Sequence, residues 1–152
     1  MRFASMKVHQ RSNEAPLNAI AADDPPFASP QLKTILVVED NVMSRVAVSG
    51  PLRDAGYKVI EAASDAEARS ILRALPVDLL FLDLHLPSNA EGLATAWYAK
   101  STRPAVAIIF TSSRLEDRNA REIETLGSFI PKPYLISRVL DLVQSSLAPP
   151  ET

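Results

Sequence analysis

Five short apolar runs recur along the chain, and a stretch of helical pattern follows each one. They read LKTILVV (32–38), YKVIEA (57–62), VDLLFL (77–82), AVAIIF (105–110) and SFIP (128–131). These runs are too short for buried helices and rich in branched residues, so they read as strands. Asn41 caps a helix that ends near Ala55, with Gly56 as its stop. Ser64 and Glu67 have the spacing of a capping box for a helix to about Ala74. A third helix covers about 91–101. Ser113 and Glu116 form a second capping box, opening a helix to about Leu126 that Gly127 ends. The last helix runs from Tyr134 to Leu147, with Leu135, Val139, Leu142 and Val143 on one face.

This alternation predicts an α/β fold: a five-stranded parallel sheet, doubly wound with five helices. The first, third and fourth runs are apolar on both faces, so they belong in the centre. The second alternates and the fifth ends in proline, which suits edges. The predicted strand order is 2-1-3-4-5. Ligands of such sheets bind beyond the C-terminal ends of the strands, beside the first one.

At 152 residues the chain is about one domain in size. Six of its 12 prolines lie in the flanks, at Pro16, Pro25, Pro26, Pro30, Pro149 and Pro150. Residues 1–31 therefore read as a flexible arm, 32–148 as the domain and 149–152 as a frayed tail. The chain lacks cysteine, and His9 and His85 are far apart, which argues against disulfides and against thiolate or His-rich metal sites. A net charge of −2 gives no electrostatic case for nucleic acid. No apolar run approaches the roughly 18 residues of a membrane span, and no secretory h-region opens the chain. The expected location is cytoplasmic, with no membrane partner.

Polar residues collect at one rim. The first strand ends in Glu39-Asp40, the third in Asp83, the fourth in Thr111-Ser112 and the fifth in Lys132-Pro133. Side by side, three carboxylates repel one another. A hard divalent cation makes them favourable together, and Mg²⁺ takes oxygen ligands while sharing a phosphate. Lys132 can pair with a phosphoryl oxygen, and the Thr111 hydroxyl can donate to another. That equipment suits phosphoryl transfer, with the central Asp83 as nucleophile and an acyl phosphate as product.

ILVVEDN, LLFLDLHLP, IIFTSS and FIPKPY, in this order and spacing, resemble the receiver domain of two-component response regulators across about Leu32 to Leu147. The resemblance implies that Asp83 takes a phosphoryl group from a histidine kinase or histidine phosphotransfer protein. It implies Mg²⁺ as cofactor, held by Glu39, Asp40, Asp83 and the backbone carbonyl of His85. It makes Lys132 a contact of the phosphoryl group, Thr111 and Phe129 the switch pair, and Lys132-Pro133 a cis peptide. The His85 side chain would border the path of the hydrolytic water. The output would be phosphorylation-dependent protein binding by a single-domain regulator rather than enzymatic turnover, since no output domain follows the last helix. A homodimer through the fourth helix, fifth strand and fifth helix is a further expectation.

Two features depart from the pattern. Gly50-Pro51 falls inside the first helix, whose surface docks the kinase in receivers, so a kink or break is expected there. Phe129 stands where a tyrosine is common, and without a hydroxyl its ring has less reason to face water. Three alternatives remain at the level of sequence. A pseudo-receiver would have lost the acidic pair, the acceptor or the lysine. A haloacid-dehalogenase-like phosphatase needs a carboxylate at the position of His85. A flavodoxin-like flavin binder needs a phosphate-cradling loop where EDNVM is acidic.

Overall fold

The computed structural model describes residues 29–86, 92–114 and 117–150. The elements run β1 (Thr34–Val38), α1 (Val42–Asp54), β2 (Lys58–Ala62), α2 (Asp65–Ala74), β3 (Leu79–Asp83), α3 (Gly92–Thr102), β4 (Ala107–Ser112), α4 (Asp117–Leu126), β5 (Ser128–Pro131) and α5 (Ile136–Leu147). All strand pairs are parallel, in the order β2-β1-β3-β4-β5. The doubly wound sheet expected from the sequence is therefore the observed one, with the alternating and proline-ended strands at its edges.

Residue alternation along the strands sorts the core into two layers. Leu36, Val38, Leu80, Leu82, Ile108 and Phe110 face α2, α3 and α4. Ile35, Val37, Leu79, Phe81 and Ile109 face α1 and α5. Every residue of β1 and β3 is buried. Each large aliphatic or aromatic side chain so buried contributes about 1.5–3 kcal/mol, which makes these two strands the rigid base of the rim.

Local signals set both ends of α1 and the start of α2. Asn41 accepts from Ser44 N–H at 2.9 Å, and Gly56 takes φ +94° just past α1, where a side chain would be strained. Ser64 caps α2 by accepting from Glu67 N–H at 3.2 Å. The reciprocal bond is displaced by one residue, because Glu67 accepts from Ala63 N–H at 2.8 Å rather than from Ser64. Glu116, expected to complete the second box, lies outside the described residues, as do nearly all of the N-terminal segment and residues 151–152.

Three expectations need correction. Helix α1 runs without a break through Pro51, which opens its last turn; Ala47, whose carbonyl loses its helical donor there, is exposed. Gly50 precedes it and has no Cβ to meet the proline ring, so the break does not occur. Strand β4 extends to Ser112, which places Thr111 and Ser112 inside the ladder: Thr111 pairs with both Asp83 and Ile130. Helix α5 starts at Ile136, because Leu135 is still extended (φ −81°, ψ 138°) and its side chain is 71% exposed instead of joining the buried face.

Candidate functional site

Four segments deliver their polar residues to one point. Glu39 follows β1 and Asp83 ends β3; both are buried, while Asp40 is exposed. Oxygens of these three carboxylates lie within 4.8 Å of one another. From the far side of β4, Lys132 Nζ reaches across to Glu39 Oε2 at 2.6 Å and Asp83 Oδ2 at 2.8 Å. The partner that Asp83 lacks in the linear sequence is thus a lysine 49 residues away. Its other oxygen, Oδ1, accepts from His85 N–H at 2.9 Å.

Burial pushes the Glu39 carboxyl above its usual range, and the neighbouring Asp83 charge adds to that; bonds from Lys132 and Asn41 N–H oppose without cancelling it. Burial pushes the Lys132 ammonium down, but its hydrogen bonds to Asp83 and Glu39 outweigh this and raise it. Lys132 is therefore a firmly held cation between two carboxylates. It follows β5 through a cis Lys132-Pro133 bond, as expected. Beyond it, the Tyr134 ring meets Phe81 edge-on at 6.0 Å, and burial raises its phenol pKa.

The Thr111 side chain adjoins this cluster in a particular state. Its Oγ1 is buried and has no hydrogen-bond partner among the described residues. A buried unpaired hydroxyl costs about 1–3 kcal/mol, so it marks a place where an acceptor would be favourable. Phe129 is half-buried and packs on the core layer beside Phe110. Of the residues expected at the site, Glu39, Asp40, Asp83, Lys132 and Thr111 converge on the rim, His85 stands at its edge, and Phe129 lies one strand further out.

Four residues make contacts that the sequence reading did not anticipate. Arg45 Nη1 donates to the Glu39 carbonyl at 2.7 Å and its Nε to Glu61 at 3.2 Å, fixing the turn after β1. Asn41 N–H donates to Glu39 Oε1 at 3.0 Å. Ser112 Oγ lies 2.7 Å from His85 Nδ1. Gly92 opens α3 so close to β3 that a Cβ there would stand 2.8 Å from the Asp83 carbonyl oxygen. The Arg45–Glu61, Ser112–His85 and Gly92–Asp83 approaches are tertiary, whereas the Asn41 bond is made within the turn after β1.

A parallel sheet in this order, with an acid cluster and a crossing lysine at its C-terminal rim, defines the class: a receiver-type α/β protein. The chain belongs to the response regulator receiver domain family, whose family model matches residues 35–144. It is 31% identical over 141 residues to the sensor kinase CckA of Brucella abortus, covering 83% of this chain and 15% of that protein. It is 24% identical over 119 residues to the polar-differentiation response regulator DivK of Brucella ovis, covering 76% of this chain and 96% of that one. Among solved structures it is similar to a CheY-like receiver domain protein from Methanospirillum hungatei, with a TM-score of 0.73, 25% identity and coverage of 77% and 94%. The chain spans a small part of the kinase and nearly all of the DivK regulator. No described helix is long and apolar enough to cross a membrane.

Proposed function

We propose that Asp83 accepts a phosphoryl group from the phosphohistidine of a histidine kinase or histidine phosphotransfer protein, and that the modified chain signals by binding a protein partner. In that step an Asp83 carboxylate oxygen bonds to phosphorus as the phosphorus–nitrogen bond of the donor breaks. The chain acts as a phosphoacceptor that loses the group again by hydrolysis, not as a general enzyme. Residues 32–148 form the receiver in this reading, with 1–31 as an arm and 149–152 as a tail.

The observation that carries the reading is the Lys132 ammonium held between carboxylates from two different strands, with a third beside them. An all-oxygen donor set of this charge suits a hard divalent ion. Glu39, Asp40, Asp83 and the His85 carbonyl would hold Mg²⁺, which would neutralise charge on the incoming phosphoryl group. Lys132 would bind a phosphoryl oxygen, and Thr111 would turn its unpartnered hydroxyl to another. Phe129 would follow that movement.

A cleft of about 370 Å³ opens beside Lys132, lined by Ser44, Ala47, Ser113, Pro133 and Tyr134. Exposed Val42, Met43 and Val46 on α1 and Leu135 before α5 are further apolar side chains on these two elements. An apolar rim around a charged centre suits a partner that must cover the site while presenting its phosphohistidine. The face of α4, β5 and α5 is the proposed surface for a homodimer or a downstream target. The test is incubation with labelled acetyl phosphate and Mg²⁺. Label is expected on the wild-type chain and absent from Asp83→Asn and from EDTA-treated protein; label that persists at the same site in Asp83→Asn overturns the reading.

A further inference from the structure

The two acids that follow β1 are held in different ways. Glu39 is tied on several sides: its N–H bonds the Ala62 carbonyl at 3.1 Å, its Oε1 accepts from Asn41 N–H at 3.0 Å and its Oε2 from Lys132 at 2.6 Å. Asp40 is exposed, and among the described residues its carboxylate takes no hydrogen bond or ion pair. An oxygen of that carboxylate nonetheless lies within 4.8 Å of oxygens of Glu39 and Asp83. The backbone of the turn therefore sets where this acid stands.

One side chain grips that backbone. Arg45 Nη1, from the first turn of α1, donates to the Glu39 carbonyl at 2.7 Å and lies 3.4 Å from the Asp40 carbonyl oxygen. The carbonyls before and after the Asp40 α-carbon thus converge on one nitrogen. The arginine has an anchor of its own, since its Nε donates to Glu61 Oε2 at 3.2 Å on the edge strand β2. Arg53, two turns further along α1, takes the other Glu61 oxygen at 2.9 Å. Burial pushes the Glu61 carboxyl up, but the bonds from Arg53 and Arg45 outweigh it and hold the group below its usual range. Glu61 is therefore an anion at neutral pH, and the Arg45 side chain, 15% exposed, is braced at both ends of its guanidinium.

We propose that Arg45 is a positioning residue for the divalent ion: braced on Glu61, it fixes the Glu39–Asp40 turn so that the Asp40 carboxylate joins those of Glu39 and Asp83. This rests on the reading of that acid cluster as the Mg²⁺ site. Charge and geometry act in opposite directions here. A guanidinium beside a cation site repels the incoming ion, so by charge alone the loss of Arg45 tightens Mg²⁺ binding. By geometry its loss frees the turn and weakens binding, because Mg²⁺ demands near-ideal placement of its oxygens. Arg53 provides the comparison. It carries the same charge and pairs with the same Glu61, but it bonds the Val59 carbonyl at 3.3 Å instead of the turn.

The experiment titrates Mg²⁺ into the metal-free full chain by calorimetry. Arg45→Met is expected to bind the ion roughly tenfold more weakly than wild type, and Arg53→Met as tightly as wild type. Binding by Arg45→Met that equals or exceeds wild type, or equal losses in the two variants, overturns the proposal; equal losses are what a purely structural ion pair would give. Glu61→Ala is expected to weaken binding several-fold in the wild-type background and no further in the Arg45→Met background. Effects of those two substitutions that multiply overturn the proposal. Hydrogen exchange of the Arg45 Nε–H, followed by NMR in the metal-free wild type, needs no variant to fold. Slowed exchange is expected, and the rate of a free guanidinium overturns the proposal. A wild-type chain that binds no Mg²⁺ overturns the underlying reading instead, whereas wild-type binding that is indifferent to Arg45 overturns this inference alone.

Discussion

Asp78 and Asp83 flank the same run of four buried residues, one before β3 and one at its end, yet they occupy opposite electrostatic settings. The Asp78 side chain is 37% exposed; it accepts from Thr34 N–H at 2.7 Å and pairs with Lys33 at 3.5 Å. It joins β1 to β3 and leaves little unsatisfied. The Asp83 side chain is 7% exposed and shares one lysine with a second buried carboxylate. The N-terminal rim of the sheet is a set of ordinary connections. The C-terminal rim concentrates like charges that one cation only partly balances. Identical residues at the two ends of β3 thus differ in chemistry because the neighbouring strand ends bring Glu39, Asp40 and Lys132 beside Asp83, whereas the Asp78 carboxylate meets a backbone N–H and Lys33.

The largest expected effect separates the two aspartates outright. Asp83→Asn should reduce phosphoryl incorporation to background, while Asp78→Asn should leave it intact and lower unfolding free energy by about 1 kcal/mol. Measuring label and denaturant midpoint on both variants checks this; equal loss of label in the two would erase the contrast. Next comes the shared cation. Lys132→Ala leaves two buried carboxylates facing each other and should cost about 3 kcal/mol in metal-free buffer. Mg²⁺ should restore more stability to this variant than it adds to wild type. A variant as stable as wild type in EDTA would mean the rim is not electrostatically loaded.

Thr111→Val should have a smaller effect on folding. The hydroxyl it removes has no partner among the described residues, so unfolding free energy should stay within about 1 kcal/mol of wild type. Phosphorylation-dependent partner binding should nonetheless be lost, which calorimetry with and without phosphoryl analogue would report. The smallest effect lies in pH. The folded state raises Glu39 above 4.5, so that contribution is complete below pH 4.5 and disappears as pH climbs through the folded value. Lys132 is raised above 10.5, so its contribution is complete below pH 10.5 and fades beyond it. Unfolding midpoints across pH should show both windows in wild type and only the alkaline one in Glu39→Gln. An acidic window surviving that substitution would assign it to another group.

The order of the strands and the convergence of Glu39, Asp40, Asp83, Thr111 and Lys132 could be read from the chain because both follow from short-range pattern. Doubly apolar runs mark central strands, and a parallel sheet sends all its strand ends the same way. What the chain did not reveal was decided by neighbours distant in sequence. The Arg45–Glu61 pair, the His85–Ser112 bridge and the link between Asp65 on α2 and Thr95 on α3 leave no local trace. Strand β4 outran its apolar stretch because β5 supplies partners for Thr111 and Ser112. Pro51 looked more disruptive than it is, since Ala47, whose carbonyl loses its donor, proves to be exposed, which the pattern of the helix did not settle.

Gly92 carries no chemistry, yet the packing around it leaves no space for a methyl group against the Asp83 carbonyl oxygen and the Leu84 Cα, at 2.8 and 2.9 Å. Every alternative at that codon adds at least this one carbon. In a saturation mutagenesis screen for signalling output, position 92 should therefore be as intolerant as position 83, and alanine should fare little better there than tryptophan.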